Sequence, residues 1–169
     1  MPDPTTTDEP ARIQALRDAF VALRPRVSAG APWPMAVAFG VEPEASWGPP
    51  EVLAHLAEML PFWMGELERI VDGEPAPVPF GRVTEDTVRI GLIERDRTLP
   101  VRVLFDRIDA GLADWGARLA TLGAADRLKL GLHPRLGPIS IETFLERFVL
   151  GHADDHVAQL EEILATRPA

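Results

Sequence analysis

The sequence contains no cysteine. Without thiols the chain can form neither a disulfide framework nor a thiolate metal site, and it has no cysteine nucleophile. Any metal ion that this protein binds must therefore take its ligands from histidine, carboxylate or water.

Long apolar runs and a basic leader are also absent. Residues 1–10 are polar and proline-rich, without the basic and apolar regions of a secretory signal. No later run approaches the roughly 18 apolar residues of a membrane span. We expect a cytoplasmic protein in which residues 1–9 are disordered or loosely ordered. Residues 10–167 are expected to form one domain, because a chain of this length builds one core rather than two.

Basic residues are in the minority. The chain has 17 Lys and Arg against 26 Asp and Glu, which gives a formal net charge of −9. A charge of this sign repels the phosphate backbone of nucleic acids. We therefore expect no nucleic-acid or membrane partner, and a small-molecule substrate instead.

Glycine and proline divide the chain into segments. Between their clusters, apolar residues recur at spacings of three and four, which is the pattern of a helix with one buried face. This pattern predicts four helices, at residues 10–27, 49–71, 99–122 and 140–166. Pro25 should end or kink the first helix, and Pro61 should kink the second or divide it into two.

The four amphipathic segments, with no convincing strand alternation, predict an all-α four-helix bundle. Residues 71–99 would be a long connection between helices 2 and 3, and such a connection is a candidate for the wall of a site or for a short extra helix. Residues 128–137 contain too much glycine and proline for a helix and suggest a loop or a short hairpin.

Three histidines fall on the predicted apolar faces. His152 and His156 are one turn apart on the last helix, a spacing at which two imidazoles can bind one ion. His55 lies at the boundary of the apolar face of helix 2. Together they predict a three-histidine site for one divalent ion, with open positions of the kind found in catalytic centres. Imidazole suits several metals, and zinc and nickel are our first expectations.

The same histidines can also be interpreted as ordinary residues that bind no metal. A single helical histidine is commonly an ordinary residue, and two histidines four apart also occur by chance. His133, beside Pro134 in a glycine-rich segment, is interpreted as an ordinary loop histidine. The competing function is a non-catalytic helical bundle that serves as a binding or stress-response module, with a structural metal or none.

Two polar residues near the histidines are candidates for a chemical role. Glu58 follows His55 by about one turn and could be a fourth ligand or a general base, although a solvent-exposed position is the commoner one for glutamate. Gln159 follows His156 by about one turn and could contact a ligand ring or the substrate.

Larger side chains are candidates for the substrate pocket. Trp47, Met59 and Trp63 are expected to form core and pocket wall together. Arg82, and with it Arg89, could bind the carboxylate of an anionic thiol cofactor through bidentate contacts, although surface arginines are common.

Three stretches of the sequence resemble a known family. They are Trp47 with Pro49 to Leu56, the tetrapeptide Pro79 to Arg82, and the last helix from Phe148 to Leu160. In this order they are similar to the DinB-like (YfiT-like) superfamily, over about residues 10–166.

This resemblance implies a four-helix bundle of the up-down-down-up type, often a homodimer, with a metal held at the positions of His55, His152 and His156. It also implies a thiol-dependent S-transferase or isomerase that uses a low-molecular-weight thiol such as bacillithiol or mycothiol. We therefore expect a metal-dependent S-transferase or hydrolase acting on small electrophiles, with a metal-bound thiol or water as the nucleophile.

Overall fold

The computed structural model describes residues 9–37, 39 and 44–167. The helices are α1 Glu9–Ala29, α2 Pro49–Asp72, α3 Thr87–Asp96, α4 Val101–Thr121, α5 Ala124–Arg127, α6 Ile141–Leu145 and α7 Gly151–Thr166. A 3₁₀ turn spans Glu44–Ser46 and a π-helical turn spans Glu146–Leu150. The strands are β1 Val78–Pro79, β2 Leu130–His133 and β3 Gly137–Ser140.

Four long helices surround one core. Helix α1 packs against α4 and α7, and α2 packs against the same two helices, so that α1 and α2 lie diagonally across the bundle. The apolar faces predicted from the sequence point inward, and the largest fully buried side chains include Leu23, Leu53, Ile108, Trp115 and Phe144. The predicted all-α four-helix bundle is confirmed.

The two internal prolines do not interrupt their helices. Helix α1 continues through Pro25 to Ala29, and α2 runs unbroken through Pro61 to Asp72. The predictions that Pro25 ends α1 and that Pro61 divides α2 are therefore wrong. Each proline removes one backbone donor, but buried apolar residues lie on both sides of it, such as Leu60 and Trp63 around Pro61.

The connection between α2 and α4 contains the short extra helix that its length suggested. This helix, α3, begins after Asp86, whose side chain accepts a hydrogen bond from the Arg89 backbone N–H at 2.8 Å. Strand β1 precedes it and pairs in parallel with β2, which in turn pairs antiparallel with β3. The predicted hairpin is thus confirmed as β2 and β3. The two residues of β1 are too few to show an alternating pattern.

The last helical segment differs from a regular α-helix. Ser140 caps it by accepting a hydrogen bond from the Thr143 N–H at 3.2 Å, as predicted. The π-helical turn then follows, in which the Gly151 N–H donates to the Glu146 carbonyl, five residues back. Because this turn holds an extra residue, the most buried face of α7 passes through Ala153, His156 and Leu160. The side chain of His152 remains 29% exposed, whereas the regular period placed it on the buried stripe.

The start of the chain is described only from residue 9 onward. The predicted loose order of residues 1–8 lies outside the described residues. Glu9, however, is the first residue of α1, and its carboxylate accepts hydrogen bonds from Arg127 at 2.6 and 3.0 Å. None of the helices in the described part of the chain is long and apolar enough to span a membrane.

Candidate metal centre and its cavity

Three histidines from two packed helices meet at one point. His55 lies on α2, and His152 and His156 lie one turn apart on α7. The His152 Nε2 atom is 2.9 Å from the His55 Nε2 and 3.2 Å from the His156 Nε2. Two nitrogens bound to one tetrahedral zinc ion at about 2.0–2.1 Å would lie roughly 3.3 Å apart. The spacing of the ring nitrogens therefore fits ligands of a single ion.

A carboxylate completes this cluster. The Glu44 Oε2 atom is 3.8 Å from the His156 Nε2 and 4.0 Å from the His152 Nε2. One ligand atom from each of the four residues lies within 4.8 Å of the others. Glu44 was not predicted from the sequence, because it lies in a proline-rich segment where no helical period relates it to the histidines.

Two side chains hold Glu44 in place. The Arg89 guanidinium forms an ion pair with the Glu44 Oε1. The Gln159 amide nitrogen donates to the Glu44 backbone carbonyl at 2.8 Å. Gln159 also contacts the cluster directly, since its Oε1 lies 2.9 Å from the His156 Nδ1. It therefore connects the 3₁₀ turn that carries Glu44 to the helix that carries two of the histidines.

The Gln159 contact assigns the tautomer of His156. An amide oxygen can only accept a hydrogen bond, so the His156 Nδ1 must carry the proton and donate it. The Nε2 lone pair then points at the other two histidines, which is the form that binds a metal. The chemistry of the donor set therefore fits a divalent cation.

Burial keeps the three rings neutral. It lowers the pKa of His55 well below its ordinary value, and the neighbouring His156 and Arg89 lower it further. Burial and His156 lower the pKa of His152 to about 4. Burial also lowers the pKa of His156, although Gln159 and Glu44 oppose this. At neutral pH all three imidazoles are in the neutral state that metal binding requires.

The surroundings of His55 contain unpaired polar atoms. The Trp47 indole packs edge-on against the His55 ring, with 5.7 Å between ring centroids. Within the described part of the chain, the His55 Nδ1, the Trp47 Nε1 and the Glu51 Oε2 are buried without a hydrogen-bond partner. Unpaired buried polar atoms cost free energy. The only polar contact of the His55 ring among the described residues is therefore at its Nε2, which faces His152.

A cavity of about 270 Å³ opens onto His55, His152 and Glu44. Trp63 and Phe148 form an apolar wall, with stacked rings 4.4 Å apart. The remaining lining residues are Arg82, Val83, Thr84, Arg89, His133, Arg135, Leu136 and Arg147. The cluster thus has one side that a small molecule can reach.

A solved structure shares this architecture. YfiT from Bacillus subtilis, a probable metal-dependent hydrolase with an unusual four-helix bundle topology, aligns with a TM-score of 0.68 over 96% of this chain and 90% of its own. The chain has the YfiT fold. The two sequences are 19% identical, so the likeness establishes the fold and confirms at that level the resemblance seen in the sequence. No family model and no curated protein matches the chain.

Within this YfiT fold, Glu58 does not join the histidines. Both of its carboxylate oxygens accept hydrogen bonds from Arg82, each at 2.6 Å, and the pair is largely buried. The Arg82 guanidinium also stacks on the Phe62 ring, 3.7 Å from its centroid. Glu58 therefore fixes an arginine of the cavity wall.

The three large side chains predicted to form core and pocket wall, those of Trp47, Met59 and Trp63, occupy different places in the YfiT fold. Trp63 lines the cavity, and Trp47 contacts the His55 ring behind it. Met59 is fully buried in the core and is not among the described residues that line the cavity.

His133 is more than a loop histidine in this fold. It ends β2, its ring stacks on Phe148 at 5.1 Å, and its Nδ1 accepts hydrogen bonds from the backbone N–H groups of Arg135 and Leu136 at 3.3 Å. The Nε2 atom is buried without a hydrogen-bond partner in the described part of the chain. Burial lowers the pKa of His133, although the nearby Arg82 backbone opposes this. A neutral His133 therefore closes the hairpin turn and supports the cavity wall.

Proposed function

We propose that this protein is a divalent-metal-dependent enzyme that transfers a low-molecular-weight thiol, of the bacillithiol or mycothiol type, to a small electrophile. The ion would be held by His55, His152 and His156. The observation that carries the proposal is the convergence of three neutral imidazole Nε2 atoms beside an accessible cavity that His55 and His152 line.

The donor set favours zinc or nickel, and both accept imidazole ligands. Such an ion supplies Lewis-acid activation and lowers the pKa of a thiol or water. Three neutral histidines leave its double charge intact. A structural zinc site ordinarily has four protein ligands, and the Glu44 oxygen lies farther from the His152 and His156 nitrogens than these lie from each other.

The chain's own residues would position the reactants and move one proton. Trp63 and Phe148 would hold the apolar part of the electrophile and exclude water. In the transfer, a bond forms between the thiol sulfur and the electrophilic carbon, and the leaving group departs with the bonding electron pair. The thiol proton would pass to the Glu44 carboxylate, which Arg89 orients.

Hydrolysis is the second candidate. It is favoured by the description of YfiT as a probable metal-dependent hydrolase. In that reaction water replaces the thiol and Glu44 takes the proton from water, so the same residues would serve. Homodimer formation, which the family resemblance implies, belongs to the same proposal and can be tested by light scattering.

Product analysis separates these functions. Protein loaded with zinc or nickel would be incubated with bacillithiol or mycothiol and either an aryl halide or an ester, and the products identified by mass spectrometry. A thiol adduct that is lost in His156→Ala supports transfer. Acid release without thiol consumption supports hydrolysis, and no product from a metal-loaded protein supports the non-catalytic module.

The role of Glu44 can be tested in the same assay. In Glu44→Gln we expect metal content to stay unchanged and turnover to fall about 100-fold, a typical effect of losing a general base. Glu161→Gln is the matched control, because Glu161 forms an exposed ion pair with Arg26. Loss of the metal from Glu44→Gln would instead make Glu44 a ligand.

A further inference from the structure

The cavity in front of the histidines is rich in positive charge. Four of its lining residues are arginines, whereas Glu44 is the single carboxylate among the described residues that line it. The chain as a whole has 26 acidic and 17 basic residues. The cavity therefore has the opposite charge balance to the protein that surrounds it, and low-dielectric walls would focus its field on an incoming anion.

Two of these arginines are already neutralised. Arg82 is bound by both oxygens of Glu58, and its side chain is only 9% exposed. Arg89 pairs with Glu44 and donates to the Thr84 carbonyl at 3.2 Å. Both guanidinium groups are fixed parts of the wall.

The other two arginines have charge available for a ligand. Arg135 pairs with Glu85 at 3.0 Å, but the side chains are 58% and 65% exposed, and exposed pairs of this kind contribute little free energy. Arg147 is exposed and forms no ion pair with any residue in the described part of the chain. It lies on the π-helical turn just before Phe148, which puts it beside the apolar wall.

Arg135 and Arg147 line the same cavity as His133. Besides the larger effect of burial, the positive charges of Arg147 and Arg135 lower the pKa of His133 on the cavity wall. An anion between Arg147 and Arg135 would thus lie beside the His133 ring and the Phe148 ring that it stacks on.

We propose that the cavity binds a small substrate carrying a carboxylate, which Arg135 and Arg147 hold while the reacting end points toward His55 and His152. The volume of about 270 Å³ is close to the lower end of the range for small-molecule pockets, roughly 300–1,000 Å³, and it suits a small electrophile. The orientation of the reacting end rests on the proposed function. The anion site does not, because neither arginine is a candidate metal ligand.

The test compares a dicarboxylate with its neutral analogue. Succinate and succinamide would be titrated into metal-free and into zinc-loaded protein, with binding followed by NMR at the Trp63 indole N–H. We expect succinate to bind roughly tenfold more tightly in both forms, the size of one or two charged hydrogen bonds. In Arg135→Ala/Arg147→Ala the preference of the metal-free protein should shrink to near unity, because no zinc ion is then present to bind a carboxylate.

Arg102 provides the control. Arg102→Ala removes one positive charge from an exposed position on α4 that does not line the cavity, and it should keep the preference. Equal affinity of the metal-free protein for the two compounds, or a preference that survives the double substitution in the metal-free protein, would overturn the proposal. Failure to bind zinc would count against the metal centre alone, since the metal-free titration measures the anion site independently.

Discussion

The Nε2 atoms of His55 and His152 lie 2.9 Å apart, although their residues belong to different helices. Both rings have a lowered pKa because they are buried, and His156 contributes to the shift in each case. Neutral imidazoles at this distance, with a third one 3.2 Å from His152, form a candidate ligand set for one ion.

Gln159 should position His156 for metal binding. Its amide oxygen lies 2.9 Å from the His156 Nδ1, and partners that orient ligand imidazoles typically contribute 10–100-fold to metal affinity. We therefore expect Gln159→Leu to raise the zinc Kd by about that factor, measured by competition with a chromophoric chelator. The circular dichroism spectrum should not change.

A conservative variant of Gln159 shows whether its hydrogen bond to His156, rather than its packing, is responsible for the effect. Gln159→Glu keeps an oxygen that can accept from the His156 Nδ1 and should recover part of the affinity. Gln14→Leu is the matched control, since Gln14 is exposed on α1, where its amide donates to Asp18. Unchanged zinc affinity in Gln159→Leu would show that the hydrogen bond does not position His156.

Gly151 should be required by the π-helical turn that precedes His152. A Cβ atom there would lie 2.6 Å from the Glu146 carbonyl oxygen and 2.7 Å from its Oε1, closer than packing allows. We expect Gly151→Ala to lower the free energy of unfolding by about 1 kcal/mol or more and to weaken zinc binding, because the backbone before His152 must shift. Urea unfolding and zinc titration measure the two effects.

Another helical glycine provides the comparison. A Cβ atom added at Gly65 on α2 would have no described atom within 4 Å, so Gly65→Ala should raise the free energy of unfolding by roughly 0.5–1 kcal/mol. If both substitutions stabilise the protein equally, the close approach at Gly151 has no energetic consequence.

Asp96 should make stability depend on acid pH. Arg95 and Arg107 hydrogen-bond to its carboxylate at 2.6 and 2.9 Å, and they lower its pKa against the opposing effect of burial. Because the folded-state pKa lies below the unfolded value of about 3.9, the stabilisation is present above about pH 4 and is lost as pH falls through the folded-state pKa.

The matching variant is Asp96→Asn. We expect it to lower the free energy of unfolding by about 1 kcal/mol at pH 7, a modest value because both arginines are substantially exposed. The difference from wild type should shrink as pH falls below about 4 in urea titrations. A difference that stays constant over this range would indicate lost packing instead.

The sequence was sufficient to predict the features that depend on the local spacing of residues. The apolar period identified the four long helices, and the spacing of His152 and His156 placed both on one helix. Their approach to His55 followed from assigning all three to inward faces. The alternatives in which Pro25 ends its helix and Pro61 divides its helix were wrong, because burial on both sides outweighed a missing backbone donor.

Features that depend on tertiary contacts could not be predicted from the sequence. Glu44 reaches the histidines only because Arg89 and Gln159 hold its 3₁₀ turn against α7. The helical spacing of Glu58 from His55 suits a metal ligand. However, its carboxylate forms an ion pair with Arg82, which lies in the connection after β1. The π-helical turn depends on a single extra residue, which an apolar period cannot reveal, and it left His152 partly exposed toward the cavity.

Elemental analysis of purified, untagged protein tests the metal centre most directly. Wild type would be compared by mass spectrometry with His55→Ala and His152→Ala, and with His133→Gln as a control histidine outside the cluster. We expect about one equivalent of zinc or nickel in wild type and in the control, and its loss in both alanine variants with helical content retained. No metal in the wild type, and none taken up on titration, would contradict the account.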